Sequence, residues 1–251
     1  MNTPDTLDAV EWQARCELAA LYRLIAHFRM TDLIDTHISL RIPGPEHHFL
    51  INRYGVIFDR MTASDLVRID QHGQVVNGDI ENSRVNAAGF VIHSAIHMAR
   101  EDLNCVIHTH TAAGMAVAAQ EQGLLPISQH ALKFYGKLAY HTYEGIALSL
   151  EERERLVADL GPHRAMILRN HGLLAGGGSV AQAFHEIHFL ERACQAQVQA
   201  LSGNSKLVQP SEEVCRLTAQ QFDRDEAAEI IQLSWKAALT LIEDQRESYC
   251  S

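Results

Sequence analysis

His108 and His110 flank a single threonine at the end of an apolar run, Asn104-Cys105-Val106-Ile107, and a second apolar run, Met166-Ile167-Leu168, leads into Arg169-Asn170-His171-Gly172. Short apolar runs of this kind read as buried strands. Side chains two positions apart on a strand share a face at roughly 7 Å spacing, which lets two imidazoles turn onto one ion. A third histidine at a second strand end completes a set with an open coordination position. Open sites belong to catalytic metals rather than structural ones. The chain carries 15 histidines, so one H-x-H alone has an ordinary reading as strand-end polarity. Here both histidine segments close buried-type strands, and strand ends are where open sites on α/β scaffolds gather.

At 251 residues the chain suits one large domain or two small ones, and no repeat or low-complexity linker divides it. A formal net charge of -10, with no Lys/Arg-rich block, argues against nucleic-acid or anionic-membrane partners. No apolar run approaches the roughly 18 residues a membrane span needs. The polar, acidic Met1–Glu11 segment does not read as a signal peptide. Five scattered cysteines without a C-x-x-C read as reduced thiols of a cytoplasmic protein, with Cys105 and Cys194 in the core.

Helical spacing of Leu18, Leu21, Leu24 and Ile25 predicts a helix over about 6–30. Asp35 to Arg41 alternates like a strand, Pro43-Gly44-Pro45 turns it, and His48 to Asn52 returns as the second strand of a hairpin. Leu66 to Asp70 and Gln74 to Asn77 form a further strand pair around His72-Gly73. Helices are expected over 86–100, over 112–122 capped by Thr111, from a capping box at Ser149 to Leu160, from a second box at Ser179 to Leu201, and over 225–247. Strands mixed with helices, several of them hairpin-linked, favour a layered α/β domain with a largely antiparallel sheet.

Three stretches together carry a family resemblance over nearly the whole length. They are Asp32-Leu33-Ile34 through His37-Ile38-Ser39-Leu40-Arg41 to Asn52, Ala88-Gly89-Phe90-Val91-Ile92-His93 through His97 into His108-Thr109-His110, and Leu168-Arg169-Asn170-His171-Gly172. The chain resembles the class II aldolase/adducin superfamily, most closely adducin head domains and their bacterial relatives. The resemblance implies a single domain over 1–251, a three-layer α/β/α sandwich with a largely antiparallel central sheet, and a homotetramer with active sites at subunit interfaces. It also implies that His108, His110 and His171 hold one divalent metal ion, Zn²⁺ first, with Mn²⁺ or Co²⁺ as alternatives.

The sequence also departs from the catalytic members. They place a glutamate, or in epimerases an aspartate, four residues before the histidine matching His93, and Gly89 stands there. Ala87-Ala88 replaces the serine pair of the phosphate cradle, and Thr36-His37 replaces its Gly-Asn turn. Where those enzymes bring a tyrosine acid from a neighbouring subunit, the approximate match is His130. His37, Asn52, Arg84 and Asn86 fall at substrate-side positions. His93 reads as a hydrogen-bonded structural histidine, and Arg41 as a solvated strand residue. These features predict a metal-dependent carbon–carbon lyase, an aldolase or decarboxylase. Its substrate would be a small, non-phosphorylated hydroxy-carbonyl or carboxylate compound. The alternatives are a non-catalytic adducin-like binding or scaffold protein and a metal-dependent epimerase.

Overall fold

In the computed structural model the described residues are 8–44, 46–76, 83–146, 151–203 and 206–251. Seven strands form one sheet: β1 (His37–Arg41), β2 (Phe49–Asn52), β3 (Leu66–Ile69), β4 (Cys105–Thr109), β5 (Leu138–His141), β6 (Ala165–Leu168) and β7 (Gly172–Gly177). Their spatial order is β3-β2-β1-β4-β7-β6-β5. Every pairing is antiparallel except β5 with β6, so the sheet is largely antiparallel, as expected.

Strand periodicity sorts the apolar residues onto two faces. Ile38, Leu40, Cys105, Ile107, Ala165, Ile167, Leu173 and Ala175 enter one core with helices α1 (Ala9–His27) and α6 (Val180–Ser202). Val106, Met166, Leu168 and Leu174 enter the other, against Ile92 and Ile96 of α2 (Ala87–Ala99) and Leu156 and Leu160 of α5 (Glu152–Leu160). The result is the three-layer α/β/α sandwich. Fully buried leucines such as Leu18, Leu21 and Leu24 each contribute about 1.5–3 kcal/mol of burial free energy.

Helix α1 is buried well beyond an apolar stripe. Arg15 donates to the carbonyls of Ala63 (3.2 Å) and Leu66 (2.6 Å), and Arg23 to that of Met61 (2.9 Å), so its cations staple the loop between β2 and β3. Glu11, also buried, pairs with Arg15 and with Arg68 of β3. Removing one partner of such a set leaves a buried charge uncompensated.

Several expectations change. Gln74–Asn77 does not form a strand with Leu66–Asp70: Val75 makes one isolated bridge to Ile69, and Asn77 lies outside the described residues, as does the capping box at Ser149. Helix α3 is shorter than expected (Ala112–Ala118), because the chain turns through Gly123, whose φ of +66° suits glycine. Sequence periodicity missed α4 (Gln129–Leu132), β5 and α7 (Glu212–Gln221). The last predicted helix is broken: α8 (Ala227–Leu239) ends in a 3-10 turn with a non-helical Ile242, and α9 (Arg246–Tyr249) follows. That kink carries Cys250 back to α1, where it is disulfide-bonded to Cys16 across a Cα–Cα distance of 4.8 Å. The expectation of reduced thiols therefore fails for this pair and holds for Cys105, Cys194 and Cys215, which are free and buried. Spacing along the sequence cannot show such a pair, since the loop it closes spans 234 residues.

Candidate metal centre

The two histidine segments meet at one end of the sheet. His108 is on β4 and faces α2, opposite His37 of β1. His110 lies just past the strand, and Thr111 holds the chain there by capping α3 (3.0 Å to the Gly114 amide) and donating to Glu191 of α6. His171 sits in the tight turn between β6 and β7, entered through Asn170 with φ +54°. Asparagine tolerates that left-handed backbone better than most residues. Gly172 follows, and a Cβ there would collide with the Thr109 carbonyl. The glycine thus lets β7 lie against β4 and sets His171 beside His110.

The three Nε2 atoms converge, with separations of 2.7 Å (His108–His110), 2.9 Å (His110–His171) and 3.2 Å (His108–His171). Four-coordinate zinc with Zn–N bonds of about 2.0–2.1 Å spaces its ligand atoms by roughly 3.3 Å, so the set is near ligand spacing. The other ring nitrogens settle what faces inward. His108 Nδ1 lies 2.9 Å from the Leu173 carbonyl, which only accepts, so that nitrogen carries the proton. His110 Nδ1 lies 3.2 Å from the Asp32 carboxylate and is likewise the donor. In the neutral form of both rings the Nε2 lone pairs then face each other at 2.7 Å. Lone pairs so placed repel unless a cation lies between them. The residues fit a divalent ion, with Leu173 and Asp32 orienting two of its ligands from behind.

Burial disfavours the charged form of two of the rings. It pushes His108 well below the ordinary imidazole range, helped by neighbouring His37, His171 and His110, and brings His171 to about 4, helped by His110 and His141.

Behind the triad runs a chain of buried polar groups. His37 Nδ1 is 2.8 Å from His93 Nε2, His93 Nδ1 is 2.5 Å from Ser39 Oγ, Ser39 Oγ is 2.7 Å from His97 Nε2, and His97 Nδ1 is 3.1 Å from the Leu103 carbonyl. His93 is thus the hydrogen-bonded histidine expected. Arg41 is not simply solvated, since its guanidinium donates to the carbonyl of His97.

The remaining candidates are dispersed. Asn52 is buried and hydrogen-bonded to the Tyr22 hydroxyl (3.0 Å). Arg84 is exposed, with its guanidinium 5.6 Å above the Tyr54 ring. Asn86 accepts from the Phe90 amide at the start of α2. His130 on α4 stacks on Phe189 of α6 at 4.7 Å, and among the described residues no contact joins it to the triad. Sequence reasoning gave no role to Asp32 or Ser39, nor to His141, which is held between Asp159 (2.7 Å) and Glu152 (3.4 Å) near His171. A carboxylate facing H-x-H from an earlier loop leaves no spacing signal. A cleft of about 530 Å³ is lined by Phe189, Phe222 and Ile230 and includes none of the triad.

A largely antiparallel α/β/α sandwich with three histidines gathered at the rim of its sheet defines the class of protein. The chain belongs to the class II aldolase and adducin N-terminal domain family, which it matches over residues 16–198. It is similar to an aldolase II superfamily protein from Pseudomonas syringae, with 51% identity, a TM-score of 0.91 and 98% of each chain covered. An L-fuculose 1-phosphate aldolase from Glaciozyma antarctica shares the fold at 29% identity and a TM-score of 0.83, covering 98% of this chain and 96% of that one. Alpha-adducin of Rattus norvegicus is 46% identical over 78% of this chain, which spans only 26% of the adducin. No helix among the described residues is long and apolar enough to cross a membrane.

Proposed function

We propose that this chain is a divalent-metal-dependent carbon–carbon lyase, an aldolase or decarboxylase, whose ion is held by His108, His110 and His171. The observation that carries the reading is the convergence of three histidine Nε2 atoms at separations of 2.7, 2.9 and 3.2 Å. Zn²⁺ is the ion of choice for three imidazoles, with Mn²⁺ or Co²⁺ as alternatives. Such an ion supplies a Lewis acid for a carbonyl oxygen. The residues of the chain hold three of its positions, orient His108 through Leu173 and His110 through Asp32, and leave one side for a small substrate.

That substrate is a hydroxy-carbonyl or carboxylate compound without phosphate. A phosphate monoester carries nearly two negative charges near neutral pH and needs several donors converging on it. Ala87 and Ala88 offer no hydroxyls, Thr36-His37 replaces the usual turn, and exposed Arg84 supplies one guanidinium, which suits a carboxylate. A panel of retro-aldol and decarboxylation substrates, assayed with Zn²⁺, Mn²⁺ and Co²⁺, tests this. Turnover is expected with non-phosphorylated hydroxy acids or hydroxy-ketones, at a kcat/KM at least about tenfold above that of sugar phosphates, a difference of about 1.4 kcal/mol. Preference for a ketose 1-phosphate would contradict it. Failure of every substrate with fully metallated protein would favour the adducin-like scaffold reading, which Gly89 and the adducin similarity support.

Residues 1–251 form one domain on this reading, and the molecule is a cytoplasmic homotetramer. His130 serves the site of a neighbouring copy, where it moves a proton. Light scattering at micromolar concentration should give about four times the 28.0 kDa chain mass, and a monomer would rule this out.

A further inference from the structure

Gly89 of α2 is where the catalytic relatives carry their acidic side chain, and the space beside it is filled. A Cβ at 89 would lie 2.7 Å from His37 Cδ2, 2.8 Å from Cγ and 3.0 Å from Nε2. Real Cβ atoms do not approach a ring that closely. A side chain at 89 and the present His37 therefore exclude each other. His37 is 2% exposed, opposes His108 in the strand register, and lies with its ring centroid 4.9 Å from that of His108. It stands between the triad and the vacated position.

The polar chain behind His37 has only one consistent direction. The Leu103 carbonyl can only accept, so His97 Nδ1 carries a proton. A buried, neutral His97 then presents a bare Nε2, which takes the single proton of Ser39 Oγ. Ser39, having donated, accepts from His93 Nδ1. His93 Nε2 is thereby bare and takes the proton of His37 Nδ1. The last ring, which packs against Gly89, is left with its lone pair on Nε2.

We infer that His37 replaces the acidic residue missing at position 89 as the substrate-contacting group of this site, with Nε2 fixed as an acceptor for a substrate hydroxyl. The inference deepens the lyase reading and rests on the triad holding a metal. It also specifies the substrate: beyond the atoms that reach the ion it carries a hydroxyl donor. A phosphate oxygen at this spot would meet a lone pair instead of a proton. Ser39, His93 and His97 are positioning residues that act through His37.

Two measurements test it. Nitrogen-15 NMR of the full chain without metal should show His37, His93 and His97 all as Nδ1–H tautomers. Ser39→Ala should break the sequence and leave His37 a tautomer mixture. Titration calorimetry on the zinc-loaded chain should then compare glycerate with lactate, which share the carboxylate and 2-hydroxyl and differ by one hydroxyl. A net hydrogen bond contributes about two- to tenfold in affinity, so glycerate should bind that much tighter. In His37→Leu, with its zinc retained, the ratio should fall to about one. An Nε2–H tautomer at His37, equal affinities in the unaltered protein, or an unchanged ratio in His37→Leu would each overturn the inference. Loss of zinc binding in the unaltered chain would defeat the lyase reading instead, and the metal-free tautomers would still decide this one.

Discussion

Replacing His110 with alanine is expected to strip the metal and abolish turnover while leaving the fold in place. His110 is half-buried, just past the end of β4. Its Nε2 is 2.7 Å from that of His108 and 2.9 Å from that of His171, so its loss opens one of three protein positions around the ion. Lewis-acid stabilisation is worth several kcal/mol, and each 1.36 kcal/mol is tenfold in rate. Turnover should therefore fall by at least about a thousandfold. Elemental analysis should find less than about a tenth of the zinc retained by the unaltered protein after dialysis. Asp32→Asn provides a graded comparison. It keeps all three ligands but weakens the group that orients His110, which typically reduces metal affinity about 10- to 100-fold. Full stoichiometric zinc in His110→Ala would contradict the assignment.

The metal-free protein is expected to unfold in mild acid. Burial holds His37, His93 and His108 well below the ordinary range and His97 at about 3. An unfolded histidine titrates near 6.5. Below that pH the unfolded chain takes up protons that the folded chain refuses. Stability is therefore complete above about pH 6.5 and falls as pH drops toward the folded values, for His97 across the window down to about 3. Each such group contributes a slope of up to about 1.4 kcal/mol per pH unit. All four shifts act in the same direction, so their losses accumulate as the pH falls. Urea unfolding at a series of pH values should give a stability that falls between pH 6 and 5 with a slope of more than about one proton. A slope below about one proton would show that these rings are not held neutral by the fold. Bound zinc should move the transition to lower pH, because it binds the folded chain with neutral imidazoles.

The framework was legible because its signals are local. Alternation in 37–41 and 49–52 around Pro43-Gly44 gave the hairpin, and Ser179 with the stripe from Val180 to Leu201 gave α6 almost to the residue. The convergence of His108, His110 and His171 was legible for the same reason, since two of them sit at one strand end and the third beside a glycine that close strand packing requires. Long-range features left no such trace. Asp32 reaches His110 from 78 residues away, and Cys16 meets Cys250 only because a kink at Ile242 turns the last helix. β5 and α4 are four residues each, too short for either periodicity to register. Gly89 read in the sequence as a loss. In the structure the space beside it is filled by the His37 ring, which is visible only once β1 and α2 are packed together.

Cobalt titration followed by visible absorption tests the central claim most directly, because Co²⁺ reports the geometry of the site as well as its occupancy. The metal-free chain should develop strong bands of four- or five-coordinate cobalt that saturate at about one equivalent per chain and are erased by an equivalent of Zn²⁺. Alanine at His108, His110 or His171 should remove them. Absence of any such bands from the unaltered protein, or their persistence in the three variants, would contradict a metal centre built from these histidines.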